Sequence, residues 1–167
     1  MVIGGAASGK SALSERLVTD TGLSRVYLAT AEAWDDEMRL RIAAHRDRRA
    51  GWMTVEVPRD VAGALAAVGV GSVVLLDCAT LWLTNVMLGG GDVMAEEDAL
   101  LAAIAACAAP VVVVTNEVGM SIVPDNALAR AFRDAQGRLN QRLAAQAGLV
   151  VAVWAGLPLV LKGPSPW

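Results

Sequence analysis

Eight residues near the start of the chain limit the possible folds more than anything else in it. Gly4-Gly5-Ala6-Ala7-Ser8-Gly9-Lys10-Ser11 follows the apolar triplet Met1–Ile3, opens a helix-patterned stretch, and fits G-x-x-x-x-G-K-[ST] at every position. Such a run needs a strand that ends, a loop that curls tightly, and a helix that begins at the lysine. Glycines let successive backbone N–H groups close around phosphate oxygens without Cβ clashes. In that setting Lys10 is placed to bridge β- and γ-phosphates, the Ser11 hydroxyl to ligate Mg²⁺, and the helix N-terminus to add partial positive charge. The competing reading is a chance glycine-rich turn, and the strand–loop–helix context argues against it.

Further along, apolar runs alternate with helical patterns. The runs are Met1–Ile3, Val26–Ala29, Met53–Val57, Val73–Leu76, Val111–Thr115 and Leu149–Trp154. Several are continuous rather than alternating, as strands covered on both faces are. Helix-like segments lie near 10–21, 33–49, 59–68, 94–108 and 125–147. The last repeats apolar residues at Leu128, Ala131, Phe132, Ala135, Leu139 and Leu143. The expectation is an α/β fold, a mostly parallel sheet with helices on both faces, forming a single nucleotide-binding catalytic domain over 1–167. Gly89-Gly90-Gly91 interrupts the chain, but too little lies on either side for two cores. The opening strand is short against the usual ~5–6 residues, which points to residues missing ahead of it.

Composition then removes whole classes. Apolar residues make up 55% and charged ones 19%, too rich and too weakly charged for disorder. No run reaches the ~18 apolar residues of a spanning helix, and Leu149–Leu161 contains Gly156 and Pro158. No basic–apolar–cleavage pattern opens the chain, so a cytoplasmic protein is expected. A net charge of −3 and a pI near 5.1 give no general attraction to nucleic acid or anionic lipid. Cys78 and Cys107 lie in apolar surroundings without metal-ligand spacing, and His45 is the single histidine, so disulfide and zinc frameworks are not expected.

A phosphate loop usually has an acidic partner on a neighbouring strand. Asp77 ends the run Val73–Leu76, where it can hold Mg²⁺ directly or through water, or simply end the strand or cap a helix. Glu117, after Asn116, is a second acid of this type, with a plain loop start as the alternative. No N-K-x-D element for guanine is present. Arg41, His45 and Arg49 are four apart and share a helical face. Flanking arginines disfavour imidazolium, and neutral imidazole is the nucleophilic form. From the residues alone, a solvated surface histidine among arginines stays open.

Together these motifs resemble the bifunctional adenosylcobinamide kinase / adenosylcobinamide-phosphate guanylyltransferase family of cobalamin biosynthesis. The resemblance is carried by the phosphate loop at 4–11, Y-L-A-T-A at 27–31, D-D-E-M-R-L-R-I-A-A-H-R at 35–46, W-x-T-x-E at 52–56 and L-L-D-C-A-T-L-W-L-T-N at 75–85. It continues through V-T-N-E-V-G-M-S-I-V-P at 114–124, A-R-A-F-R-D-A-Q-G-R-L-N-Q-R-L-A at 129–144 and A-G-L-P-L-V-L-K at 155–162. It implies a RecA-like P-loop fold, a trimer, and two reactions using ATP or GTP. A nucleoside triphosphate first phosphorylates the hydroxyl of adenosylcobinamide. GTP then guanylylates a histidine, which falls on His45, and GMP passes to adenosylcobinamide phosphate to give adenosylcobinamide-GDP.

By the same matching Gly4, Gly5, Ala6, Ala7, Ser8, Gly9, Lys10 and Ser11 bind GTP phosphates. Ala29, Thr30, Ala31, Arg46, Asp47, Arg48, Arg49, Glu56 and Asp77 are the implied remaining nucleotide contacts. Glu56 is suited to accept hydrogen bonds from a guanine edge or a ribose. Asn116 and Glu117 are placed near the phosphates by strand position. Ala7 stands where the family often has arginine, a difference expected to weaken a phosphate contact. Three other readings stay open: a kinase of another small hydroxylated metabolite, a GTP-regulated switch, and a guanylyltransferase that has lost its kinase activity.

Overall fold

The computed structural model describes residues 1–32 and 49–167. Seven strands make one sheet: β1 (Val2–Gly4), β2 (Ser24–Ala29), β3 (Met53–Glu56), β4 (Ser72–Asp77), β5 (Val111–Asn116), β6 (Val150–Trp154) and β7 (Leu157–Lys162). Their order is β3-β2-β4-β5-β1-β6-β7. All neighbours are parallel except the last pair. Among the described residues five helices complete the fold: α1 (Lys10–Thr19), α2 (Val61–Ala66), α3 (Ala79–Leu88), α4 (Val93–Ala106) and α5 (Ala127–Gln146).

Alternation along each strand sorts the helices by face. Val26, Leu28, Val74, Leu76 and Val113 pack against residues of α2, α3, α4 and α5. Tyr27, Val73, Leu75 and Val114 point the other way, toward Val18 of α1, and Leu13 of α1 packs on Val2, Val151 and Val153. Both faces are therefore apolar, as continuous rather than alternating runs predict. The expected α/β architecture holds, and β1 occupies an interior place in the sheet despite its three residues.

Two elements depart from the sequence reading. Ala79–Leu88 is a helix that periodicity does not reveal, because it is buried on nearly every side. Leu157–Lys162 is an antiparallel edge strand, joined to β6 by a two-residue turn with φ of 51° at Ala155 and 80° at Gly156. Positive φ at both positions suits the tight hairpins that follow the sheet's twist. Pro158 is tolerated there because an edge strand leaves one row of N–H groups unpaired. The expected helix near 33–49 lies almost wholly outside the described residues.

Candidate nucleotide site

The phosphate loop leaves the carboxyl end of β1, with β5 on one side and β6 on the other. In open α/β sheets that edge is where ligands collect. Gly4 has no room for a side chain, since a Cβ would meet Ser8 Oγ and the Val153 carbonyl oxygen, both at 2.6 Å. Gly9 caps α1 at φ 97° and, as a glycine, brings no capping side chain to the first-turn N–H groups. Those groups are what an anion at a helix N-terminus uses. Ser8 is braced from behind, its carbonyl accepting from Gly156 N–H at 2.9 Å, and its buried hydroxyl has no partner among the described residues. Ala7 adopts φ 54°, a left-handed conformation that costs a non-glycine residue about 1 kcal/mol.

Lys10 is buried, and its Nζ donates to the Gly5 carbonyl at 2.8 Å. Burial lowers its pKa, while Cys78 and Asp77 pull it back up. The ammonium thus faces the end of β4, where sequence reasoning puts the acidic partner. Asp77 Oδ2 accepts from the Tyr27 hydroxyl at 3.0 Å and lies 3.6 Å from Arg49 Nη2. Arg49 is buried, stacks 3.5 Å above the centre of the Tyr27 ring, and donates from Nε to Glu15 Oε1 at 2.9 Å. Burial and then Asp77 push the Tyr27 phenol up, keeping it a donor. Side chains from α1, β2 and the segment before β3 thus fix the carboxylate that ends β4, beside the phosphate loop.

The other expected residues that are described lie at or near the same edge of the sheet. Ala29 ends β2 and Ala31 follows it, both half-buried. Thr30 is fully buried, and its hydroxyl donates to the Cys78 carbonyl and accepts from Cys78 N–H, both at 2.8 Å. Its side chain is therefore engaged by the β4–α3 junction. Glu56 ends β3 with its side chain exposed on the same edge. Gly4 pairs with Asn116, and Glu117 N–H donates to the Gly4 carbonyl at 3.2 Å. His45, Arg46, Asp47 and Arg48 lie outside the described residues. Ser11, in the first turn of α1, is half-buried. Hydroxyl and carboxylate oxygens at Ser11 and Asp77 are the hard donors that Mg²⁺ takes alongside substrate phosphates.

Sequence reasoning passes over Tyr27, Glu15, Thr80, Thr115, Gln136 and Asn140. A signal exists for two of them: Gln136 and Asn140 continue the i, i+4 row of Leu128 and Phe132, a polar interruption of an apolar stripe. A separate cleft of about 370 Å³ lies between α3 and the start of α5, lined by Thr84, Met87, Leu88, Asn126, Leu128, Ala129 and Phe132. Its lining contains no titratable side chain.

Residues 1–161 match the family model for cobinamide kinase / cobinamide phosphate guanyltransferase. The chain belongs to this family. Its members include the bifunctional adenosylcobalamin biosynthesis protein CobP of Pseudomonas aeruginosa, 42% identical over 98% of this chain and 96% of that protein. The CobU proteins of Escherichia coli and Salmonella typhimurium are 42% and 44% identical, each over 97% of this chain and 98% of theirs. Among solved structures, the RadB recombinase superposes with a TM-score of 0.54 at 18% identity, over 90% of this chain and 71% of that one. That likeness speaks to the fold alone, which is RecA-like. Membership in the cobinamide kinase / guanyltransferase family matches the resemblance read from the motifs.

Proposed function

We propose that this chain is a bifunctional transferase of cobalamin nucleotide-loop assembly. It phosphorylates the hydroxyl of adenosylcobinamide, then moves GMP from GTP through His45 to adenosylcobinamide phosphate, giving adenosylcobinamide-GDP. The observation that carries the reading is the phosphate loop's arrangement. A helix N-terminus capped by glycine, a buried lysine and a fixed carboxylate converge at the carboxyl edge of the sheet, at the ends of β1 and β4. The family supplies the acceptor.

In this reading the α1 N–H groups and Lys10 bind the β- and γ-phosphates of ATP or GTP. Lys10 exchanges the Gly5 carbonyl for a phosphate oxygen, so nucleotide binding replaces one hydrogen bond with a stronger one between opposite charges. Ser11 and Asp77, the latter directly or through water, would hold Mg²⁺, and the ion would neutralise charge on the phosphates. Tyr27 and Arg49 keep the Asp77 carboxylate oriented toward the loop. For the second reaction His45 attacks the α-phosphorus of GTP and pyrophosphate leaves. The histidine–phosphorus bond then breaks as the phosphate oxygen of adenosylcobinamide phosphate takes the guanylyl group. Splitting one displacement into two is the ordinary gain from a covalent intermediate. His45 stands four positions before Arg49, whose guanidinium reaches Asp77, and this supports a histidine that serves the same site. We further propose a homotrimeric, cytoplasmic enzyme. Among the described residues no helix is long and apolar enough to cross a membrane.

Intact mass after incubation with Mg²⁺ and GTP tests the mechanism. The wild-type chain is expected to gain the mass of one GMP and His45→Ala none. A folded, GTP-binding wild-type chain without the adduct would leave a simple kinase as the activity.

A further inference from the structure

At its carboxyl end β5 outruns β4. Asp77, the last residue of β4, pairs with Val114, whereas β5 continues through Thr115 and Asn116. Past that point the main chain of Asn116 lacks a strand on the β4 side, and side chains take the strand's place. Asn116 N–H donates to Thr80 Oγ1 at 2.8 Å, and Asn140 Nδ2 donates to the Asn116 carbonyl at 3.0 Å. The Thr115 hydroxyl donates to Asn140 Oδ1 at 2.7 Å. A hydroxyl has a single proton, so in the 3.4 Å contact between the two threonines Thr80 must be the donor. Four bonds then form one ring with every donor pointing the same way round. It runs from Asn116 N–H through Thr80, Thr115 and Asn140 back to the Asn116 carbonyl. Gln136 Nε2 donates into this ring twice, to Thr115 Oγ1 at 3.0 Å and Asn140 Oδ1 at 2.9 Å.

All four side chains are buried, Thr115 and Gln136 completely. Apolar residues of the same size would leave the Asn116 N–H and carbonyl without these partners, so the ring's polar atoms are tied to that one stretch of main chain. What the ring does hold is the main chain of Asn116, gripped by both its N–H and its carbonyl. That residue sits opposite Gly4, the first residue of the phosphate loop, and leads into Glu117, which bonds back to Gly4.

We propose that Thr80, Thr115, Gln136 and Asn140 are positioning residues that present Asn116 to the reacting phosphoryl group of the bound nucleotide. The inference rests on the transferase reading above. A loosened ring leaves the loop, Lys10 and the nucleotide contacts intact while Asn116 drifts. Turnover therefore falls and nucleotide affinity does not.

The test compares Thr115→Val and Thr80→Ala with their hydroxyl-restoring counterparts Thr115→Ser and Thr80→Ser, and adds Asn116→Ala alone and combined with Thr115→Val. Two independent ring positions guard against one variant failing to fold. GTP affinity and kcat for cobinamide phosphorylation are measured on each folded protein. Thr115→Val and Thr80→Ala are expected to lower kcat roughly 10- to 100-fold, the penalty for misplacing a group at the reacting centre. GTP Kd should stay within about threefold, and the serine variants should recover most of the rate. Because the ring acts through Asn116, Thr115→Val should cost nothing further in the Asn116→Ala background. Unchanged kcat in the ring variants, or losses that multiply in the double variant, would overturn the proposal. Wild-type turnover is measured first. Its absence would overturn the kinase half of the transferase reading and this inference with it, whereas normal wild-type turnover beside unaffected variants overturns this inference alone.

Discussion

Cys78 joins two elements through its main chain and caps one of them with its side chain. The Thr30 hydroxyl bridges its N–H and carbonyl, and its Sγ accepts from Leu81 N–H at 3.5 Å at the start of α3. Burial first, and then the neighbouring Asp77, push the thiol up from its ordinary 9.0 to about 11. The folded chain therefore keeps a proton that the unfolded chain releases between these values. Stability from this group is present in full below pH 9 and is lost as pH rises toward 11. Tyr27, also pushed up, adds to the fall above pH 10. The Cys78 contribution should decline by up to ~1.4 kcal/mol per pH unit between pH 8 and 10, read as the difference between wild-type and Cys78→Ala unfolding free energies from urea titrations at each pH. The same shift leaves the thiol almost wholly protonated at pH 8, so native Cys78 should resist alkylation.

At the scale of elements, α3 organises the edge of the sheet where the site lies. Its first turn carries Thr80 into the ring around Asn116, and further along it carries Asn85, which donates to the carbonyls of Thr30 and Pro58 at 2.8 and 3.0 Å. Trp82 adds a bond from Nε1 to the Arg59 carbonyl at 2.9 Å and is 1% exposed. One helix thereby ties down the chain leaving β2, the chain leaving β3 and the end of β5. Asn85→Ala removes donors from two carbonyls and should destabilise the fold by ~2–4 kcal/mol, read as a lower urea midpoint with unchanged slope. A neutral result would mean that water replaces the amide. This helix is hidden in the sequence because Ala79–Leu88 mixes Thr, Trp and Val with Leu and has no polar face to set a period. The edge strand is hidden because Pro158 and Gly156 read as breakers. In both cases packing overrides the local pattern.

At the scale of the molecule, β1 lies between β5 and β6, and β2, β4 and β5 each contribute to the apolar core on both sheet faces. With no seam between halves, the single-domain reading predicts one unfolding transition, coincident by tryptophan fluorescence and far-ultraviolet circular dichroism. Two separated transitions would contradict it. The proposed trimer predicts a solution mass three times the 17.3 kDa of the chain, measurable by light scattering.

The loop Gly4–Ser11, the alternation of strands with helices, and Asp77 at a strand's end are all legible from residues. Each depends on local chemistry: glycine's freedom, a lysine at a helix start, an acid closing an apolar run. The fixing of Asp77 by Tyr27, Arg49 and Glu15, and the ring that grips Asn116, are decided only by tertiary structure. Bonded side-chain pairs among them stand 4 to 50 residues apart, and spacing along the chain holds no record of which side chains a crossover brings together. Gln136 and Asn140 show the boundary between the two. The sequence displays two polar residues on a core-facing stripe, and β4, ending two residues short of β5, creates the unpaired main chain that needs them.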